Sequence, residues 1–104
     1  MDSNFTDDKG RPAGGISTGI GYTIAWQTGP CPIEADGSQP GRNGAFLIEV
    51  LESCEARLGA YQDSEFACDE NAEALFDLNN SIAALKSRLN RRKDAGTLGT
   101  HEKD

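Results

Sequence analysis

The sequence is short of histidine, tryptophan and methionine, with one of each, and has no apolar run approaching the ~20 residues that span a bilayer. The single histidine, His101, stands in the last four residues, so a Ser-His-Asp or Cys-His constellation has no scaffold-held base to build on. Cysteine is scarce too. Cys31, Cys54 and Cys68 cannot all pair within one chain, form no C-x-x-C and lie far from His101, which points to a reducing compartment and away from a structural zinc. Small buried hydrophobes are the expected role of Cys54 and Cys68. Positive charge is the next shortage: 10 Lys and Arg against 17 Asp and Glu give a formal net charge of −7, the wrong field for displacing counterions from a nucleic acid. No DNA, RNA or membrane partner is therefore expected. The opening, with Asp2, Asp7 and Asp8, also lacks the basic-then-apolar order of a secretory leader.

What is present falls into two kinds of text within the length of one ordinary domain. Nine of the 12 glycines occur by Gly44 and all four prolines by Pro40, leaving a helix-friendly back half. Residues 1–15 are polar and without period, and read as a flexible tail ahead of a single domain over 16–104. A β element is expected at about 16–35, where Tyr22, Ile24 and Trp26 alternate with Thr23, Ala25 and Gln27, and Ile16 to Ile20 supplies a hairpin partner. After a breaker-dense loop over 29–44, Asn43 is placed to cap a helix of about 45–62 with a seam of Leu47, Leu51, Cys54, Leu58 and Tyr61. A second seam, Leu75, Leu78, Ile82, Leu85 and Leu89, predicts a helix of about 69–94 that starts near Asp69 and stops before Gly96. The short link between them makes an antiparallel helical hairpin of about 44–95 and gives an α+β class overall. Phe46, Val50, Phe76 and Ala83 lie off the seams, and the apolar surface they leave makes a homo-oligomer the default expectation.

Little of this text carries chemistry. The run from Gly14 to Gly21 shares only its glycines with a phosphate loop, having no Lys-Ser/Thr and no following helix. The nine carboxylates between 42 and 85 read as a solvated face and not as a metal site. Basic residues are concentrated instead. Lys86, Arg88, Arg91, Arg92 and Lys93 are half of all the cations, and Arg88 and Arg92 stand one helical turn apart. Two readings stay open: a guanidinium pair suited to a diphosphate or cyclic phosphodiester, or a basic last turn complementing the helix dipole.

A set of short matches runs from Tyr22 to Glu102: Ile24-Ala-Trp-Gln-Thr-Gly-Pro30, Asn43-Gly-Ala45, Glu49-Val-Leu51, Arg57-Leu58, Tyr61-Gln-Asp-Ser64, Phe66-Ala-Cys68, Glu70-Asn-Ala72, Arg88 with Arg92, Gly96, and Gly99-Thr-His-Glu102. In order and spacing they resemble the phage Thoeris anti-defence sponges, which share a helical-hairpin domain with the anti-CBASS cyclic-nucleotide sponges. The resemblance implies a non-enzymatic binder, without cofactors, of cyclic ADP-ribose isomers, above all glycocyclic ADP-ribose, with cyclic di- or trinucleotides as further candidates. It also implies action in the cytoplasm of the infected host, assembly of dimers that in some members reach a hexamer, and ligand contacts from Tyr61, Asn71, Arg88 and Arg92. Leu98, Asp69 and a lengthened loop over 31–39 depart from the family pattern. From Asn71 to Arg88 is about 26 Å along a helix, so a ligand touching both needs two chains. The alternative from a different class is a helical-hairpin module that binds a host protein through its apolar face. An enzyme reading would have only Asp94, His101 and Glu102 near the clamp for acid or base work.

Overall fold

A computed structural model of the chain describes residues 1–100, which divide into two compact units: Met1–Phe46 with the segment from Arg91 onward, and Leu47–Asn90. The first unit is built on a three-stranded antiparallel sheet in the order β1 (Asp2–Thr6), β2 (Pro12–Gly19), β3 (Tyr22–Trp26). The expected hairpin is β2–β3, with Ile16 opposite Ala25, Ser17 opposite Ile24 and Gly19 opposite Tyr22, leaving Ile20-Gly21 as a two-residue turn. Trp26 and Ser17 lie on one face, and the indole Nε1 donates to the Ser17 hydroxyl at 2.7 Å.

The segment expected to be a flexible tail contains β1 and the first half of β2. Its pairing is carried by the backbone and not by apolar side chains, which is why hydrophobic periodicity gave no sign of it. Asp2 pairs with Ser17, Ser3 with Ile16 and Asn4 with Gly15, before a register shift between Asn4 and Thr6. Gly15 is required for close approach, since a Cβ there would run into the Ser3 carbonyl. Asp7 closes the turn. Its Oδ1 accepts the Lys9 and Arg11 backbone N–H groups, both at 2.9 Å, and its Oδ2 accepts Arg11 Nε at 2.8 Å. These donors, the Arg11 backbone N–H foremost, hold the Asp7 carboxyl below its ordinary pKa.

The β text therefore ends at Trp26, short of the expected residue 35, and a side-chain clasp follows. Ala45 runs parallel to β3, donating to the Ala25 carbonyl at 2.8 Å and accepting from Gln27 N–H at 3.0 Å. The Gln27 amide oxygen accepts the Asn43 and Gly44 N–H groups at 2.8 and 3.2 Å, and its nitrogen donates to the Gly41 carbonyl at 3.0 Å. Asn43 in turn accepts Thr28 N–H at 2.9 Å and donates to the Thr28 carbonyl at 3.0 Å. It does not cap a helix, because the next helix begins four residues later.

In the second unit, α1 (Leu47–Gln62) and most of α2 (Asp69–Asp94) form the hairpin. Lys86 Nζ reaches Glu52 Oε2 at 3.2 Å, consistent with antiparallel helices. Gln62 clips the turn, accepting Cys68 N–H at 3.0 Å and donating to its carbonyl at 3.1 Å. On α2 the half-buried positions are Asn71, Leu75, Leu78 and Leu85 around the buried Ile82, the expected seam extended one step to Asn71. Leu89 is exposed. On α1 the half-buried positions are Ile48, Val50, Leu51, Glu55, Leu58, Gly59 and Gln62, and the 3-4 stripe among them, Ile48, Leu51, Glu55, Leu58 and Gln62, is offset by one position from the expected seam except at Leu51 and Leu58. The expectation for cysteine is corrected: Cys54, left off the covered stripe by that offset, and Cys68, in the turn before α2, are exposed, and Cys31, in the loop, is the buried thiol.

The end of α2 is set by hydrogen bonds that follow the expected Gly96. Gly96 takes φ +75°, donates to the Lys93 carbonyl at 3.1 Å, and lets Thr97 N–H reach the Arg92 carbonyl at 2.9 Å, a Schellman cap. Among the described residues, no helix is long and apolar enough to cross a membrane.

Candidate functional site

The four residues singled out from the sequence sit at two ends of the hairpin. Tyr61 is in the last turn of α1 and 48% exposed, and Ser64 folds back to donate to its carbonyl through Oγ at 2.5 Å and N–H at 3.1 Å. Asn71, in the first turn of α2, is half-buried at the end of the covered stripe. The tight turn from Asp63 to Cys68 thus places an aromatic ring and an amide at the same end. Asp69 and Glu70 open α2 there, which suits the positive end of its dipole and disfavours an anion. Neutral parts of a ligand, a base or a ribose edge, match this end best.

Arg88 lies 17 residues beyond Asn71 on the same helix, about 26 Å at 1.5 Å per residue. Its side chain is exposed, in the stretch where Arg91, Arg92 and Lys93 make up the basic last turn. A phosphate would be drawn to this end. One chain does not bring Asn71 and Arg88 together for a nucleotide-sized molecule.

Arg92 differs from Arg88 although only one turn away. It is 6% exposed, and its Nη2 donates to the Thr97 carbonyl at 2.8 Å and to the Thr100 carbonyl at 3.1 Å. An arginine within a run of basic residues reads from sequence as solvated, and backbone carbonyl acceptors leave no sequence signal. The Gln27–Asn43 clasp went unread for a related reason: each of its bonds joins a side-chain amide to a main-chain group. His101 and Glu102, named in the sequence reading, lie outside the described residues. Among the described residues no group of three His, Cys, Asp or Glu side chains is placed to hold a metal ion.

The hairpin falls within a known family of helical-hairpin domains. The family model for the Acb2/Tad1 hairpin domain matches residues 23–89, from within β3 to Leu89 on α2, well over half of the chain. The protein belongs to that family. Among its relatives is Thoeris anti-defense 1 of Bacillus phage SBSphiJ7, 35% identical over 81 residues, which are 78% of this chain and 53% of the relative. The chain spans about half the length of that protein.

Proposed function

We propose that this protein binds and sequesters cyclic nucleotide signals without altering them, and so blocks Thoeris anti-phage defence in the cytoplasm of the infected bacterium. Family membership across 23–89, together with the aromatic, amide and guanidinium groups within or just beyond that span, is the observation that carries this reading. Cyclic ADP-ribose isomers, glycocyclic ADP-ribose above all, are the ligands, with cyclic di- and trinucleotides as weaker candidates. Tyr61 stacks on the base, Asn71 bonds its polar edges, and Arg88 binds the pyrophosphate, with Arg92 at the same basic helix end. Two copies pair antiparallel, bringing the turn end of one hairpin to the basic end of the other and making two equivalent sites about a two-fold axis. Exposed apolar groups on the hairpin, Leu47, Phe66, Phe76 and Leu89, support such pairing and leave room for larger assemblies, including a hexamer. The same apolar face is what a host-protein adaptor would use.

Incubating the protein with glycocyclic ADP-ribose, removing free ligand and then heating separates these functions. Release of intact nucleotide supports sequestration. Altered nucleotide would make the protein an enzyme, and an empty protein would favour the adaptor.

A further inference from the structure

Beyond the hairpin, one buried charge has a structural partner set that no ligand is needed to explain. The Arg92 guanidinium is taken out of water, which is costly unless its donors are hydrogen-bonded. Its Nη2 meets the carbonyls of Thr97 and Thr100, the two ends of a turn in which Thr100 N–H and Oγ also donate to Thr97 O at 3.1 and 2.6 Å. Between them, the Gly99 carbonyl accepts Cys31 N–H at 2.8 Å. Gly99 has φ +76°, and a Cβ there would collide with the Cys31 carbonyl and the Pro32 Cα. Cys31 is 3% exposed, and its carbonyl also accepts Gln39 Nε2 at 3.0 Å.

We propose that Arg92 is a positioning residue: it folds residues 97–100 into a strap that lies on Cys31 and Pro32 and fixes the 31–39 loop, and it affects ligand binding through that strap. Nη2 alone carries two N–H groups, and it serves both carbonyls. The part that concerns binding rests on the sequestration reading. The strap itself does not.

The test uses the full chain carrying Cys54→Ser and Cys68→Ser, so that Cys31 is the one thiol. Iodoacetamide should alkylate Cys31 at least tenfold faster in Arg92→Gln than in the parent, with helical circular dichroism unchanged. Gly99→Ala should give the same acceleration with the guanidinium intact, and Arg88→Gln should give none. Titration with glycocyclic ADP-ribose at two ionic strengths adds a readout that mere loss of structure would not produce. Arg88→Gln should flatten the salt dependence, whereas Arg92→Gln and Gly99→Ala should weaken binding and keep the parent's slope. Unchanged Cys31 reactivity in both Arg92→Gln and Gly99→Ala overturns the strap. A slope flattened as much by Arg92→Gln as by Arg88→Gln shows that Arg92 meets the phosphates directly and overturns the positioning role. If the parent binds no nucleotide, the sequestration reading fails, and the alkylation rates alone decide the strap.

Discussion

Co-refolding an Asn71→Ala chain with an Arg88→Ala chain tests whether the nucleotide site is shared between two copies. On one α2 the two residues are about 26 Å apart, further than one cyclic nucleotide spans. If two antiparallel hairpins build each site, each homodimer of either variant has two damaged sites. Loss of one charge-assisted bond to phosphate costs roughly 1.5–3 kcal/mol, or about 10- to 150-fold in affinity, and loss of the half-buried amide costs about 1 kcal/mol or more. A mixed dimer collects both defects in one site and leaves the other intact. With random pairing at equal input, half of the dimers are mixed, so about a quarter of all sites regain the parent's affinity. Calorimetry at a nucleotide concentration between the parent and mutant dissociation constants should show that quarter stoichiometry, and neither variant alone should reach it. Native mass spectrometry establishes that mixed dimers are present. If they form and no tight sites return, Asn71 and Arg88 do not meet across an interface.

Phe76 is 67% exposed, and covering it with a second copy would remove about 130 Å² of apolar surface, worth about 3 kcal/mol; Phe76→Asp should therefore shift light scattering to smaller species, and a parent that already runs as a compact monomer would refute the pairing. Gln27→Ala removes three side-chain hydrogen bonds that join β3 to the 41–44 segment. A loss of about 1–3 kcal/mol is expected, lowering the melting temperature by several degrees, and an unchanged transition would mean the clasp adds nothing. Because the Asp7 carboxyl has its pKa lowered in the folded chain, its contribution is present above the ordinary carboxylate range and is lost as pH falls through the lowered value. Asp7→Asn should consequently destabilise the β1–β2 turn at neutral pH and match the parent in strong acid, measured by amide exchange at Lys9 and Arg11.

Regular side-chain periodicity made part of this fold legible. Leu75, Leu78, Ile82 and Leu85 predicted the buried face of α2, and Gly96 predicted its end, because a left-handed cap demands a residue without Cβ. The alternation from Tyr22 to Trp26 found β3. Where backbone groups do the pairing, the sequence is silent: β1 has no apolar alternation, and the glycines at its partner strand look like flexibility when they permit close approach. The α1 stripe was displaced because Glu55 and Gln62 take covered positions that apolar counting assigns to Cys54 and Tyr61. Of the candidate site, residue chemistry and the split between the hairpin's ends could be read from spacing. The burial of Arg92 could not, since its acceptors are carbonyls.

The bond from Cys31 to Gly99 also has a meaning in time. The first unit is discontinuous, and its strap is synthesised long after the Cys31 loop that it bonds. At about 5–20 residues per second, the 68 residues after Cys31 up to and including Gly99 take roughly 3–14 s to synthesise. A hairpin such as β2–β3 closes in microseconds, so it exists while Cys31 still lacks its Gly99 partner. During those seconds the nascent chain presents a thiol that the folded unit hides, and the Gly99 bond to Cys31 forms only after synthesis has passed the end of α2.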